Sequence, residues 1–162
     1  MSEPAPEVKQ DHAGVIIPPP VIFLAVLAAA LAIDLLAGGP RTGLPDLPRY
    51  LAGAALFALG LLLTIVAASG FRSAGTEVRP WKASTALVTT GFYRYTRNPM
   101  YLGMALIYAG LSLFADSVIA LIFIIPLLVI ITYGVIRREE HYLEVKFGEE
   151  YRRYKGKVRR WL

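Results

Sequence analysis

The chain has 162 residues, of which 56% are hydrophobic and 18% charged, against roughly 45–50% and about 25% in ordinary soluble domains. The apolar residues are gathered in blocks, which argues for a small polytopic membrane protein and against a soluble fold. There is no cysteine, which excludes disulfides, thiolate nucleophiles and cysteine metal sites. The two histidines, His12 and His141, lie far apart in sequence, so no metal site is expected.

In chain order, Met1–Gly14 is polar, with Pro4, Pro6 and three acids. It lacks the basic region and cleavage pattern of a secretory signal and reads as a mobile tail. Residues 15–162 read as a single membrane domain. Apolar blocks follow at Val15–Ala37, Tyr50–Ser69, Pro99–Ala115 and Val118–Ile136. A bilayer span needs roughly 20 apolar residues, with a range near 17–25, so all four are predicted to cross. Such long, nearly charge-free blocks are costly in water, which disfavours the helices of a soluble bundle. Pro18, Pro19 and Pro20 suit only the opening turn of the first helix. Gly53 and Gly60, seven apart, share one face of the second and predict close helix packing. Asp34 near the end of the first span reads as an interfacial group, and Pro126 predicts a kink in the fourth.

Cations set the predicted orientation. Fifteen lysines and arginines fall on the N-tail, the Gly70–Asn98 loop and the C-tail, against two in the Gly38–Arg49 loop. The positive-inside rule then puts both termini in the cytoplasm, at the inner membrane if the source is bacterial. The net charge of +5 is thus a topology signal, and nucleic acid is not an expected partner.

Two polar segments remain, 84–103 and 137–158. In the first, Ser84–Thr90 reads as extended, Gly91 permits a sharp turn, and Asn98-Pro99 reads as an N-cap and first helical residue. By itself Arg97 reads as a cation snorkelling to the membrane surface. Tyr93, Tyr95 and Tyr101 crowd the same border. In the second segment, Leu143, Phe147, Tyr151, Tyr154, Val158 and Trp161 form an amphipathic helical stripe that Gly148 can interrupt. Glu139 and Glu140 fall within a turn of the fourth span, where carboxylates are expensive unless they face a polar cavity.

The stretches "LVTTGFYRYTRNPMYLG" and "RREEHYLEVKFGEEYRRYKGKV", separated by a hairpin of two spans, resemble the isoprenylcysteine carboxyl methyltransferase family. The wider group includes the phospholipid methyltransferases. The resemblance covers Thr85 to about Val158. It implies an all-α integral membrane methyltransferase that takes S-adenosylmethionine as cofactor and releases S-adenosylhomocysteine. The cytoplasmic loop and the C-terminal amphipathic helix would form the cofactor site. By similarity, Thr85, Ala86, Leu87, Val88, Tyr93, Asn98, Pro99, Met100, Tyr101 and Glu139 line the cofactor, with Glu140 beside them. The eukaryotic prenylcysteine enzymes of the family carry a substrate-side arginine four residues before the matching glutamate, where this chain has Val135. Arg137 and Arg138, one turn on, are therefore the candidate acceptor-side cations, together with Glu140. The expected acceptor is a lipophilic or lipidated molecule from the membrane lipid phase. An isoprenylcysteine-like carboxylate, a phospholipid amine and a small thiol all remain open. A small four-helix transporter or scaffold is the alternative outside enzymes; it would need an ionisable group deep in its spans.

Overall fold

A computed structural model describes residues 12–76 and 82–162. The tail expected over Met1–Gly14 lies outside the described residues up to position 11. Helix α1 is Pro19–Ala37. Pro19 and Pro20 fill its first turn, where the missing N–H groups have no intrahelical partner to lose. It stops at Gly38, whose φ of 62° is left-handed and closes the helix by donating to the Asp34 carbonyl. Helix α2, Asp46–Ser73, has 28 residues and runs past the expected Tyr50–Ser69 at both ends. Asp46 in its first turn favours the positive end of the helix dipole. A 3₁₀ turn at Gly91–Arg94 precedes α3, Pro99–Phe114.

Asp116, at φ 52°, makes the tight turn into α4, Val118–Ile131. Aspartate tolerates this left-handed region, and its Oδ1 accepts from the backbone N–H and hydroxyl of Thr42. Ser117 caps α4 by accepting from the Ala120 N–H. Helix α4 contains Pro126 and passes into a π turn at Thr132–Ile136. Two short helices follow, α5 at Arg137–Phe147 and α6 at Glu149–Lys157. Gly148, at φ 53° and ψ −122°, breaks the amphipathic stripe between them.

The protein is an all-α polytopic membrane protein. Among the described residues, three runs are long and apolar enough to cross a bilayer: Pro19–Ala37, Asp46–Ser73 and Val118–Phe147. The apolar part of the third ends at Ile136, where the charged residues of α5 begin. The expected span at Pro99–Ala115 is a shorter apolar helix of 16 residues, about 24 Å long at 1.5 Å per residue. It nevertheless covers the same depth as the middle of α2, against which it runs antiparallel. Met100 packs near Ala67 and Phe71 at one end. Phe114 stacks on Tyr50 at the other.

The α2–α3 contact is the most extensive in the bundle and is made through glycine on both sides. A Cβ on Gly60 would stand 2.5 Å from the Gly103 carbonyl oxygen, and one on Gly110 would stand 2.6 Å from that of Gly53. Gly53 and Gly60 thus pack as their spacing predicts, and their partners are a second pair with the same spacing. In lipid, where no hydrophobic force drives helices together, such backbone approach gives dispersion contacts their full strength. The main core closes the bundle with Phe23, Leu27 and Ala30 of α1 against Leu127 and Ile131 of α4.

The ends of the bundle differ. At one, buried Arg49 donates to the carbonyls of Leu113 and Phe114 at the C-terminus of α3 and pairs with Asp46. Asp34, read from the sequence as an interfacial group, is buried there and pairs with Arg41. The other end gathers the 82–98 loop, α5, α6 and both described termini: Arg138 donates to the Gly14 carbonyl and Arg97 to that of Arg159.

Gly60→Ala should lower stability in detergent by about 1–3 kcal/mol, as overpacking does, because its Cβ meets backbone that has little room to yield. Gly134→Ala, where a Cβ meets nothing within 4 Å, should have little effect. Thermal melting of both variants measures the difference.

Candidate active site

The two polar segments meet in one cleft with about 90 Å³ of enclosed space, smaller than the roughly 300–1,000 Å³ usual for small-molecule sites. Local turns build its first wall. Gly91, at φ 60°, starts the 3₁₀ turn that buries Tyr93, and Pro99 starts α3 so that Tyr101 faces inward from its first turn. The loop before them is pinned at several points. Thr85 donates its N–H to Thr76 Oγ1 at 2.8 Å and its hydroxyl to the Gly75 carbonyl. The Ser84 N–H donates to the Tyr142 hydroxyl at 3.0 Å, and the Tyr154 hydroxyl to the Tyr93 carbonyl at 2.7 Å. Helices α5 and α6 form the facing wall, with Glu139, Glu140, Leu143 and Tyr151.

The π turn aims α5. The Arg137 N–H reaches back to the Thr132 carbonyl, an i to i−5 bond, and this wider turn resets the helical phase between the lipid-facing residues of α4 and the cleft-facing acids of α5. Insertions of this kind recur at functional sites.

The adjacent carboxylates have opposite environments. Glu140 is buried and takes three charge-assisted bonds: Arg97 Nη2 at 2.8 Å, Arg160 Nε at 2.9 Å and Arg160 Nη2 at 2.7 Å. Glu139, half-buried, has no ion pair among the described residues and accepts from the Tyr101 hydroxyl at 2.5 Å. Burial pushes the Glu139 carboxyl up to about 7; the phenol bond opposes this and the charge of Glu140 adds to it. Two polar atoms on cleft-lining side chains, the Tyr93 hydroxyl and Arg97 Nε, are buried and have no partner among the described residues. Such groups are costly to leave unmade. The cleft thus offers one carboxylate, one excess guanidinium charge and an unused phenol beside apolar faces at Phe71, Val88 and Met100.

Of the ten residues assigned to the cofactor from the sequence, Ala86, Leu87, Val88, Tyr93, Asn98, Met100, Tyr101 and Glu139 line this cleft. Thr85 and Pro99 stand behind it, Thr85 tying the loop to the end of α2 and Pro99 fully buried at the head of α3. Glu140 lines it, but with both oxygens held by arginine. Arg137 and Arg138 do not line it: the Arg137 guanidinium lies 4.1 Å over the exposed Tyr133 ring, and Arg138 is exposed, bonded to Gly14. The π turn carries these two outward as it carries the acids in.

Two local expectations are corrected. Asn98 occupies the N-cap position of α3 without making a side-chain cap; its Nδ2 donates to the Arg160 carbonyl at 2.9 Å instead. Arg97 does not snorkel, since its side chain is buried against Glu140. Sequence reasoning passed over both Arg97 and Arg160 as site residues. A buried acid pair needing compensation was the available signal, but spacing alone did not choose among the many arginines.

The family model described as phospholipid methyltransferase matches residues 48–150, which takes in most of α2, the loop, α3, α4 and α5. An uncharacterized protein of Haemophilus influenzae is 49% identical over 63 residues, which is 39% of this chain and the whole of that relative. No solved structure gives a significant match. With most of its length matched by the family model and its helices long and apolar enough for a bilayer, the chain belongs to the phospholipid methyltransferase family of membrane methyltransferases.

Proposed function

We propose that the cleft binds S-adenosylmethionine and that the protein transfers its methyl group to a lipid acceptor, an amine-bearing phospholipid before the alternatives. The observation that carries this reading is the division of labour between neighbouring acids. Glu140 is already neutralised by two guanidinium groups, whereas Glu139 faces the cleft with only a phenol. A carboxylate so placed favours a cationic ligand. The unpaired Tyr93 hydroxyl and Arg97 Nε supply polar partners for a ligand that also carries hydroxyl and carboxylate groups. The donor set therefore fits this cofactor.

When bound, S-adenosylmethionine supplies a methyl group on a sulfonium that leaves as a neutral thioether. The protein's task is to align acceptor, methyl carbon and sulfur and to exclude water, which can supply roughly 7–11 kcal/mol in favourable cases. Glu139 and Tyr101 would hold the cationic end of the cofactor, with Tyr93 and the 84–88 loop around the remainder. An amine acceptor must lose a proton. Glu140 is locked by arginines, so Glu139 is the cleft carboxylate nearest to that role; its raised pKa is that of the empty cleft and falls when it holds the cationic cofactor. An anionic acceptor would need a free cation at the cleft. Arg137 and Arg138, the two cations assigned to an isoprenylcysteine-like carboxylate, face away, although Lys82 and Arg97 line the cleft; the match to phospholipid methyltransferases favours the amine, and a small thiol stands after both. A screen with radiolabelled methyl donor tests this directly. Label in phosphatidylethanolamine or its partly methylated forms is expected, and label confined to a base-labile prenylcysteine ester would overturn it.

The pH dependence has a definite sign. The Glu139 carboxyl has a folded-state pKa of about 7 against an ordinary 4.5, so between these values the folded apoprotein holds a proton that the unfolded chain does not. Its contribution to apoprotein stability is complete below about 4.5 and is lost as pH rises through about 7. Cofactor affinity should move the other way, strengthening over the same window as the carboxylate forms. Calorimetric titrations with S-adenosylmethionine from pH 5.5 to 8.5 should show this dependence in the wild type. In Glu139→Gln, binding should fall about tenfold to a hundredfold at pH 8, leaving only the ligand's own titration. Glu144→Gln, at a carboxylate paired outside the cleft with Lys155 and Arg152, is the control expected to bind normally.

We also place both termini in the cytoplasm, supported by the cation asymmetry and by the grouping of both described termini at the cleft end of the bundle. Reporter fusions at Leu162 and at Gly43 should therefore report opposite sides.

A further inference from the structure

The segment after α6 is stitched across the cleft's two walls. Arg159 lies in an isolated parallel bridge with Thr96. The Arg97 N–H donates to the Arg159 carbonyl at 2.9 Å. The Arg160 carbonyl accepts from the Thr96 hydroxyl at 3.1 Å and from Asn98 Nδ2 at 2.9 Å. The Arg160 guanidinium turns to the opposite wall and grips both oxygens of Glu140. Trp161 Nε1 donates to Thr132 Oγ1 at 3.3 Å, at the start of the π turn. One residue thus binds the Thr96–Asn98 strand through its backbone and α5 through its side chain, without itself lining the cleft. It lies beyond the family-matched stretch, which ends at residue 150, and beyond the recognised motif.

We infer that Arg160 is a positioning residue: it clasps the RNP loop to α5 and so sets the geometry of the cofactor cleft. Two physical points carry this. The guanidinium fork fixes a carboxylate in two directions, which a single bond from Arg97 does not. Without Arg160, Glu140 would keep only Arg97 and would draw that side chain, with its unpaired Nε, out of its present pose. Asn98, whose side chain is spent on the Arg160 carbonyl and not on a helix cap, would also lose a fixed partner as the segment loosened. The inference rests on the proposed cofactor role of the cleft for its functional consequence, but the clasp itself is a property of the apoprotein.

The test uses the full-length chain in detergent with two readouts, hydrogen exchange over residues 84–98 without ligand and calorimetric binding of S-adenosylhomocysteine. Arg160→Ala should accelerate exchange in that loop and weaken binding about tenfold to a hundredfold, the size of a lost charge-assisted bond. Arg160→Lys, which keeps the charge without the fork, should recover part of both. Arg159→Ala removes the same charge from an exposed side chain while leaving its backbone carbonyl, and should behave as wild type. In a Glu140→Gln background, Arg160→Ala should add less than it does alone, because both act through one interaction. Wild-type exchange and affinity in folded Arg160→Ala would overturn the clasp, as would a lowered melting temperature with unchanged affinity. Equal losses in Arg159→Ala and Arg160→Ala would also overturn it, reducing the effect to net charge. If the wild type itself fails to bind S-adenosylhomocysteine, the cofactor reading fails, and loop exchange alone then decides the clasp.

Discussion

The approach of α2 to α3 through four glycines is the constraint from which the rest of the bundle follows. Gly60 against Gly103 and Gly53 against Gly110 fix both the depth and the rotation of α3 relative to α2. Depth matters because α3 is short. Held at this register, its N-terminus meets the end of α2 where Ala67, Phe71, Val88 and Tyr93 pack, and its C-terminus meets Arg49. Rotation matters because it turns Tyr101 inward toward Glu139. A bulkier residue at the contact would move both ends at once, since helices are stiff and backbone cannot rearrange as a side chain can.

Given that frame, the cleft's chemistry comes from partitioning charge between neighbours. Consecutive residues on a helix point about 100° apart, so Glu139 and Glu140 meet different partners despite being adjacent. Two arginines make Glu140 a structural anion. Burial makes ionisation of Glu139 harder, and the Glu140 charge adds to it. A carboxylate poised near neutrality beside an anchored one is an arrangement found where enzymes bind cations or move protons. The anchored acid also ties the walls of the cleft together, so the same interaction serves shape and electrostatics.

Much of this was legible because the controlling physics is local. Hydrocarbon blocks declared the four apolar helices, three of them long enough to span; Pro18 to Pro20, Gly38, Gly91 and Pro99 declared helix ends and turns, since each restricts or releases φ within one residue. The spacing of Gly53 and Gly60 declared a packing face. Gly148 declared a break in the amphipathic stripe. Motif order in the 84–103 and 137–158 segments pointed to the residues that gather in one cleft, eight of the ten cofactor candidates lining it.

What the sequence determined by itself, then, was the inventory: apolar spans, two polar segments at one end, a paired acid and its neighbouring tyrosines. Only the tertiary structure decided who meets whom. The π turn sent Arg137 and Arg138 outward and the acids inward, because a single extra residue in one turn changes the facing of everything after it. The folding back of the C-terminal segment gave Arg160 to Glu140 and took Asn98 away from its expected cap. Both outcomes depend on contacts between residues tens of positions apart, for which helical periodicity carries no information. A buried carboxylate selects its partner by which guanidinium the packed backbone can deliver, and that choice exists only once the helices are in place.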